Sequence, residues 1–87
     1  DIIASVEQHY NLKPGTIFAY GRKKTIAEAR KVAMALVRSH TKLSYPEMAD
    51  EFNRDYKAVK HAVDSVSSNT HLQEICMHLN DCYQYQI

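Results

Sequence analysis

Apolar residues recur along most of this chain at the three-to-four-residue spacing of an α-helix, and the breaks between runs fall on Gly, Pro, Asn, Ser and Asp. Ile2, Ile3, Val6 and Tyr10 form the first run behind Asp1, which suits an N-cap or first-turn position, and they predict a helix over residues 1–10. Asn11-Leu12-Lys13-Pro14-Gly15 interrupts the pattern. Thr16-Ile17-Phe18-Ala19-Tyr20 then supplies apolar side chains for a short helical turn under the core, ended by Gly21.

Three four-residue patterns place the later helices. Thr25-Ile26-Ala27-Glu28 has the form of a capping box, in which hydroxyl and carboxylate each satisfy a backbone N–H of the first turn. It predicts a long central helix to about residue 40, with Ile26, Ala29, Ala33, Leu36, Val37 and His40 as its inward stripe. Ser44-Tyr45-Pro46-Glu47 repeats the pattern, with Pro46 in the first turn where its missing N–H is harmless, and opens a short helix over 45–52 that turns Met48, Ala49 and Phe52 inward. After Asn53-Arg54-Asp55, with Asp55 as cap, a helix over 56–68 follows with the stripe Val59, Ala62, Val63 and Val66. Thr70-His71-Leu72-Gln73 opens a last helix to about residue 84, with Leu72, Ile75, Cys76, Leu79 and Tyr83 inward. The fold class expected is all-α: a compact bundle of about five helices, residues 1–87 forming one domain.

Composition supports this picture. Of the 87 residues 45% are hydrophobic and 24% charged, close to a folded globular average, and two Gly and two Pro are few for the many turns of a small β-fold. No run of about 20 apolar residues is present, so a bilayer span is excluded, and the N-terminal stretch is unlike a signal peptide. The chain reads as soluble and cytoplasmic, with no membrane partner. Cys76 and Cys82 lie six apart on the last helix, turned about 240° from each other, and read as two reduced thiols.

Charge changes the picture more. The net charge of +1 conceals a partition: residues 22–61 hold ten Lys or Arg against five acids, while the segments on either side are net acidic. A basic middle is the footprint of a surface that meets polyanion, although a solvated helix face gives the same count. The helices over 45–52 and 56–68 are short, lie about three residues apart, and place polar and basic side chains at the start of the second. That is helix-turn-helix spacing, in which the second helix offers its first residues to the major groove. An ordinary helical hairpin with a wet outer face has the same pattern, and at this point both readings stand.

Catalytic or metal chemistry finds little footing. His78 and Cys82 are an i,i+4 pair, but a zinc site usually takes at least three protein ligands, and His71 stands about 10 Å of helix rise before His78. The expectation is no enzyme, no catalytic residues, no metal and no cofactor.

A set of colinear fragments spanning roughly residues 2–80 is more specific. These are Ile2-Ile3, Tyr10-Asn11-Leu12-Lys13, the basic Arg22-Lys23-Lys24, the run Ala29-Arg30-Lys31-Val32-Ala33-Met34-Ala35-Leu36, the start Ser44-Tyr45-Pro46-Glu47, and Arg54-Asp55 followed by Val59 and His61-Ala62. In order and spacing they resemble the C-terminal DNA-binding domain, domain IV, of the bacterial replication initiator DnaA, within the Trp-repressor-like helix-turn-helix superfamily. The resemblance implies double-stranded DNA as partner, with the helix-turn-helix in the major groove and a basic loop in the minor groove, and a role in replication initiation or its regulation.

The resemblance also implies residue roles. Arg22 matches a loop arginine that enters the minor groove, where narrow A·T-rich tracts concentrate negative potential, and Lys23 and Lys24 would sit near phosphate. Arg30, Lys31 and Arg38 match central-helix positions near the DNA backbone, as phosphate contacts or as solvated surface. Tyr45 and Pro46 match the start of the first motif helix, beside thymine methyls and phosphate. Arg54, Asp55, Tyr56, Lys57 and Ala58 stand at the base-reading signature, usually Gly-Gly-Arg-Asp-His-Thr-Thr-Val in the family. Here Asn53 replaces two glycines and Tyr56-Lys57-Ala58 replaces His-Thr-Thr, which implies specificity altered from the usual box. Lys60 adds a phosphate contact from the following turn, and His61 bonds phosphate or packs structurally. The family's ATPase needs a Gly-x-x-x-x-Gly-Lys-Ser/Thr loop, which is absent here, so no nucleotide is expected on this chain alone and it reads as a stand-alone module or part of a longer protein. The alternative is a protein-interaction module that keeps this fold without specific DNA binding.

Overall fold

A computed structural model describes residues 2–18, 23–41 and 43–85, with the side chains of residues 80–85 outside the description. Among the described residues the chain is helical and has no strand: α1 (Ile2–His9), a 3-10 turn (Thr16–Phe18), α2 (Lys24–His40), α3 (Tyr45–Phe52), α4 (Tyr56–Ser67) and α5 (Thr70–Tyr85). The all-α expectation is met, and α3 has the bounds that its sequence pattern predicts. Asp1 as a cap, Ala19 to Gly21 as the end of the short turn, Arg22, and the side chains of Cys82 and Tyr83 lie outside the described residues.

The helix α2 is the hub, touching α1, the 3-10 turn, α4 and α5. Its buried residues are Ala29, Val32, Ala33, Met34, Leu36 and Val37. Val32 and Met34 are absent from the predicted stripe, and Ile26 and His40 prove only half-buried. The reason is geometric: a helix packed on several sides buries more than one stripe, and Met34 stands about 140° around the axis from Ala29. Helices α3 and α4 bury one stripe each, Met48, Ala49 and Phe52 on α3 and Val59, Ala62 and Val66 on α4, with Val63 at its margin. Val6 of α1, Ile17 of the 3-10 turn, and Leu72 and Leu79 of α5 complete the same core. The Phe18 ring lies 5.7 Å from that of Phe52 and joins the 3-10 turn to α3.

Two of the three capping patterns resolve differently from expectation. The first residue of α2 is Lys24, and Lys23 in the cap position makes no side-chain capping bond. The carboxylate of Glu28 is engaged elsewhere, accepting a 2.8 Å hydrogen bond from the Tyr10 hydroxyl and so pinning α1 to α2. At α5 the cap is Asn69, whose Oδ1 accepts from the Leu72 N–H at 3.2 Å, while the Gln73 side-chain amide donates back to the Ser67 carbonyl. The Ser44–Glu47 pattern is a true capping box.

Candidate nucleic-acid interface

The geometry of α3 and α4 is fixed at three points by local backbone chemistry. At the start of α3, Glu47 N–H donates to Ser44 Oγ at 3.3 Å and Ser44 N–H to Glu47 Oε1 at 3.2 Å, with the Ser44 hydroxyl also donating to that oxygen at 2.9 Å. These donors, the backbone N–H first, hold the Glu47 carboxyl below its usual range. At the end of α3, Asn53 takes the left-handed conformation, φ 54° and ψ 51°. Arg54 N–H then bonds Ala49 O at 2.9 Å and Asn53 N–H bonds Asp50 O at 3.3 Å, the two bonds of a Schellman ending. At the start of α4, Asp55 accepts from Lys57 N–H at 3.0 Å.

Asn is among the few residues other than Gly that visit this conformation readily, because its short amide tolerates it. The same device ends α1, where Asn11 has φ 58° and Leu12 N–H reaches back to Glu7 O at 2.8 Å. The sequence marks Asn53 as a polar turn residue; that one residue does the conformational work of a glycine is visible only in its φ.

The outer surface of α4's first two turns presents the expected residues together. Asp55, Tyr56, Lys57, Ala58, Lys60 and His61 are all exposed, and Tyr56 is 48% exposed, large for an aromatic ring. His61 faces solvent, not the core. Pro46 is exposed on the first turn of α3 and Tyr45 beside it is half-buried. Between the two helices, Pro46, Glu47, Ala49, Asp50, Asn53, Arg54 and Asp55 line an open depression of about 680 Å³. The acids in it were not anticipated by the charge pattern. Glu47 and Asp55 stand at helix N-termini, where the backbone dipole favours negative charge.

Three arginines sit around this unit. The Arg38 guanidinium of α2 lies 4.7 Å from the centre of the Tyr45 ring and donates to Leu43 O at 2.9 Å. Arg54 in the turn donates to Phe52 O at 3.2 Å and Asn53 O at 3.1 Å. Arg30 of α2, half-buried, donates from Nε to Ile17 O at 2.9 Å. Burial, and then the nearby charge of Arg54, bring the Arg30 guanidinium below its ordinary pKa. The structure thus brings Arg38 against the ring of Tyr45. Lys31 is half-buried on α2, whereas Lys23 and Lys24 are exposed at its start, about 9 Å of helix rise before Arg30.

Sequence reasoning missed one buried charge altogether. Glu7 of α1 is 5% exposed, and its Oε2 faces the Ile17 N–H at a long 3.5 Å. Its position beside the apolar Val6 and the later closure of the 3-10 turn over it leave no trace in the periodicity.

Two helices of eight and twelve residues, joined by a three-residue turn, the second of them packed on the long central helix, define a helix-turn-helix domain. The family profile described as the bacterial dnaA protein helix-turn-helix matches residues 1–66, and the chain belongs to this family. Similar proteins include chromosomal replication initiator proteins DnaA from Deinococcus deserti, 36% identical over 67 residues, Nautilia profundicola, 42% over 66 residues, and Thermus thermophilus, 40% over 67 residues. These alignments cover 77%, 75% and 76% of this chain and 15% of each relative. The chain therefore spans about 15% of the length of the relatives it matches, and α5 lies beyond the family match.

Proposed function

We propose that the chain binds double-stranded DNA, seating the first turns of α4 in the major groove and the basic stretch around Arg22 in the adjacent minor groove, as a module of a longer protein acting in replication initiation or its regulation. The observation that carries this is the exposed group Tyr56, Lys57, Ala58, Lys60 and His61 on a helix whose start is locked to α3 by Asn53 and Asp55. A fixed helix N-terminus bearing exposed side chains is the form in which a helix-turn-helix reads base edges. Lys23, Lys24, Lys31 and Lys60 neutralise phosphate, and Arg30, Arg38, Tyr45, Pro46 and Arg54 border the same surface. Lys57 favours guanine, and with Tyr56 and Ala58 gives a specificity different from a His-Thr-Thr reader.

The test is fluorescence anisotropy on a labelled duplex across a salt series. Binding at low salt that weakens steeply as salt rises is expected, because each neutralised phosphate releases counterions. Arg22→Ala and Lys57→Ala weaken that binding while leaving helicity unchanged. Absence of binding at low salt ends the reading and leaves a protein-interaction module on the same fold.

A further inference from the structure

Helices α1 and α5 pack together and meet at a pair of histidines. The His9 ring of α1 and the His78 ring of α5 have their centres 5.8 Å apart and their planes tilted by 52°. Both side chains are exposed. The sequence alone offers His78 only Cys82, one turn on along α5, and His71, too far back. The fold supplies an imidazole from the other end of the chain, which no spacing reveals.

His9 is also supported from its own helix and the next. Its ring stands edge-on to that of Tyr10, with centres 5.1 Å apart and planes at 80°. The Tyr10 hydroxyl is in turn fixed by its 2.8 Å bond to Glu28 on α2. One member of the pair therefore rests on the contact that joins α1 to α2. The other stands on α5 one residue before Leu79, which is buried in the shared core.

We propose that His9 and His78 are a chelating pair for a borderline divalent transition ion of the zinc, nickel and copper class, which clamps α5 to α1. Neutral imidazole is the commonest protein ligand for these ions, whereas magnesium and calcium take oxygen donors. Two imidazoles bonded to one ion at about 2.0–2.1 Å and roughly 110–120° apart have ring centres about 5–5.5 Å from each other. The observed separation of 5.8 Å closes to that by a shift of about half an ångström, which two exposed side chains can make. Water completes the coordination. With two protein ligands in place of the four of a structural zinc site, the ion is exchangeable. It ties α1, inside the family match, to α5, which lies beyond that match. Neither histidine is on α3 or α4, so the ion binds whether or not the chain binds DNA.

The test is a thermal melt of the tag-free chain without metal and with excess zinc, nickel or magnesium. An ion that binds the folded state raises its melting temperature, and a rise of about 5 °C is expected with zinc or nickel and none with magnesium. Each variant is compared with its own metal-free melt. His9→Gln and His78→Gln should each abolish the rise, and His71→Gln, elsewhere on α5, should keep it. An NMR titration with paramagnetic nickel then locates the ion, with the His9 and His78 imidazole signals broadening first. Absence of a rise with both zinc and nickel overturns the proposal. So does a rise that survives His9→Gln or His78→Gln, one lost in His71→Gln, or broadening centred on another histidine.

Discussion

The region around α1, the 3-10 turn and the start of α2 is held differently from the α3–α4 unit. In the first, beside local turns such as the one at Asn11, side-chain contacts join residues far apart in sequence: Tyr10 to Glu28, Ile17 to Glu7, Arg30 to Ile17. In the second, polar contacts join residues two to five apart: Ser44 with Glu47, Arg54 with Ala49, Asp55 with Lys57. The helix-turn-helix carries its own geometry in its local sequence, whereas α1, the 3-10 turn and the start of α2 are joined by tertiary contacts that need the N-terminal elements assembled.

The sharpest break is at the joint between the two regions. Phe52 is 1% exposed and stacks near Phe18, so Phe52→Ala should cost about 3–5 kcal/mol, a large part of a small domain's stability, read as a marked fall in melting temperature. Retained stability there would mean that the two regions stand independently. Next is Tyr10→Phe, which leaves the part-buried Glu28 carboxylate without this donor and should cost about 1–3 kcal/mol. The same bond has a pH signature. Burial, and then the bond to Glu28, raise the Tyr10 phenol above its ordinary 10.0, so the folded state holds that proton more tightly than the unfolded chain. Stability is therefore full below pH 10 and falls as pH rises beyond it, and Tyr10→Phe should remove that alkaline loss in a melting series.

The local region should respond more weakly and more narrowly. Asn53→Ala forces a β-carbon residue without a compensating amide into the left-handed turn and should cost about 1–2 kcal/mol, whereas Asn53→Gly should be close to neutral; equal losses would contradict the conformational account. Ser44→Ala should cost about 1 kcal/mol in a denaturant titration. Because Glu47's pKa is depressed in the folded state, its contribution is present above the ordinary carboxylate value and fades as pH falls through the depressed one. Ser44→Ala should flatten that acid limb.

This contrast also explains what the sequence reveals. The bounds of α3, its capping box, the Asp55 cap and the inward trio Met48, Ala49 and Phe52 are all legible, because each depends on neighbours within one turn. The exposed group from Tyr56 to His61 follows from the same stripe by elimination. At Thr25 and Glu28 an equally good pattern misleads, because Tyr10, eighteen residues away, takes the carboxylate. At Thr70 the box does not form, since Asn69, a better cap than threonine, takes the cap position and accepts from Leu72 N–H. The burial of Val32 and Met34 escapes for a related reason: a helix wrapped on several sides has no single apolar stripe to read. That Arg30, Arg38 and Arg54 reach main-chain carbonyls is a matter of side-chain path, which spacing does not encode.

The turn at Asn53 has one more consequence. An asparagine, where a glycine would also fit the left-handed turn, leaves the unfolded chain fewer conformations to surrender and gives the folded joint less room to flex. The leading end of α4 is thereby preorganised: on the proposed function, a groove that fits it incurs little entropic penalty for ordering the joint, and a groove that does not fit gains little from its adjustment. On that reading, a stiff elbow of this kind trades breadth of targets for sharpness of fit.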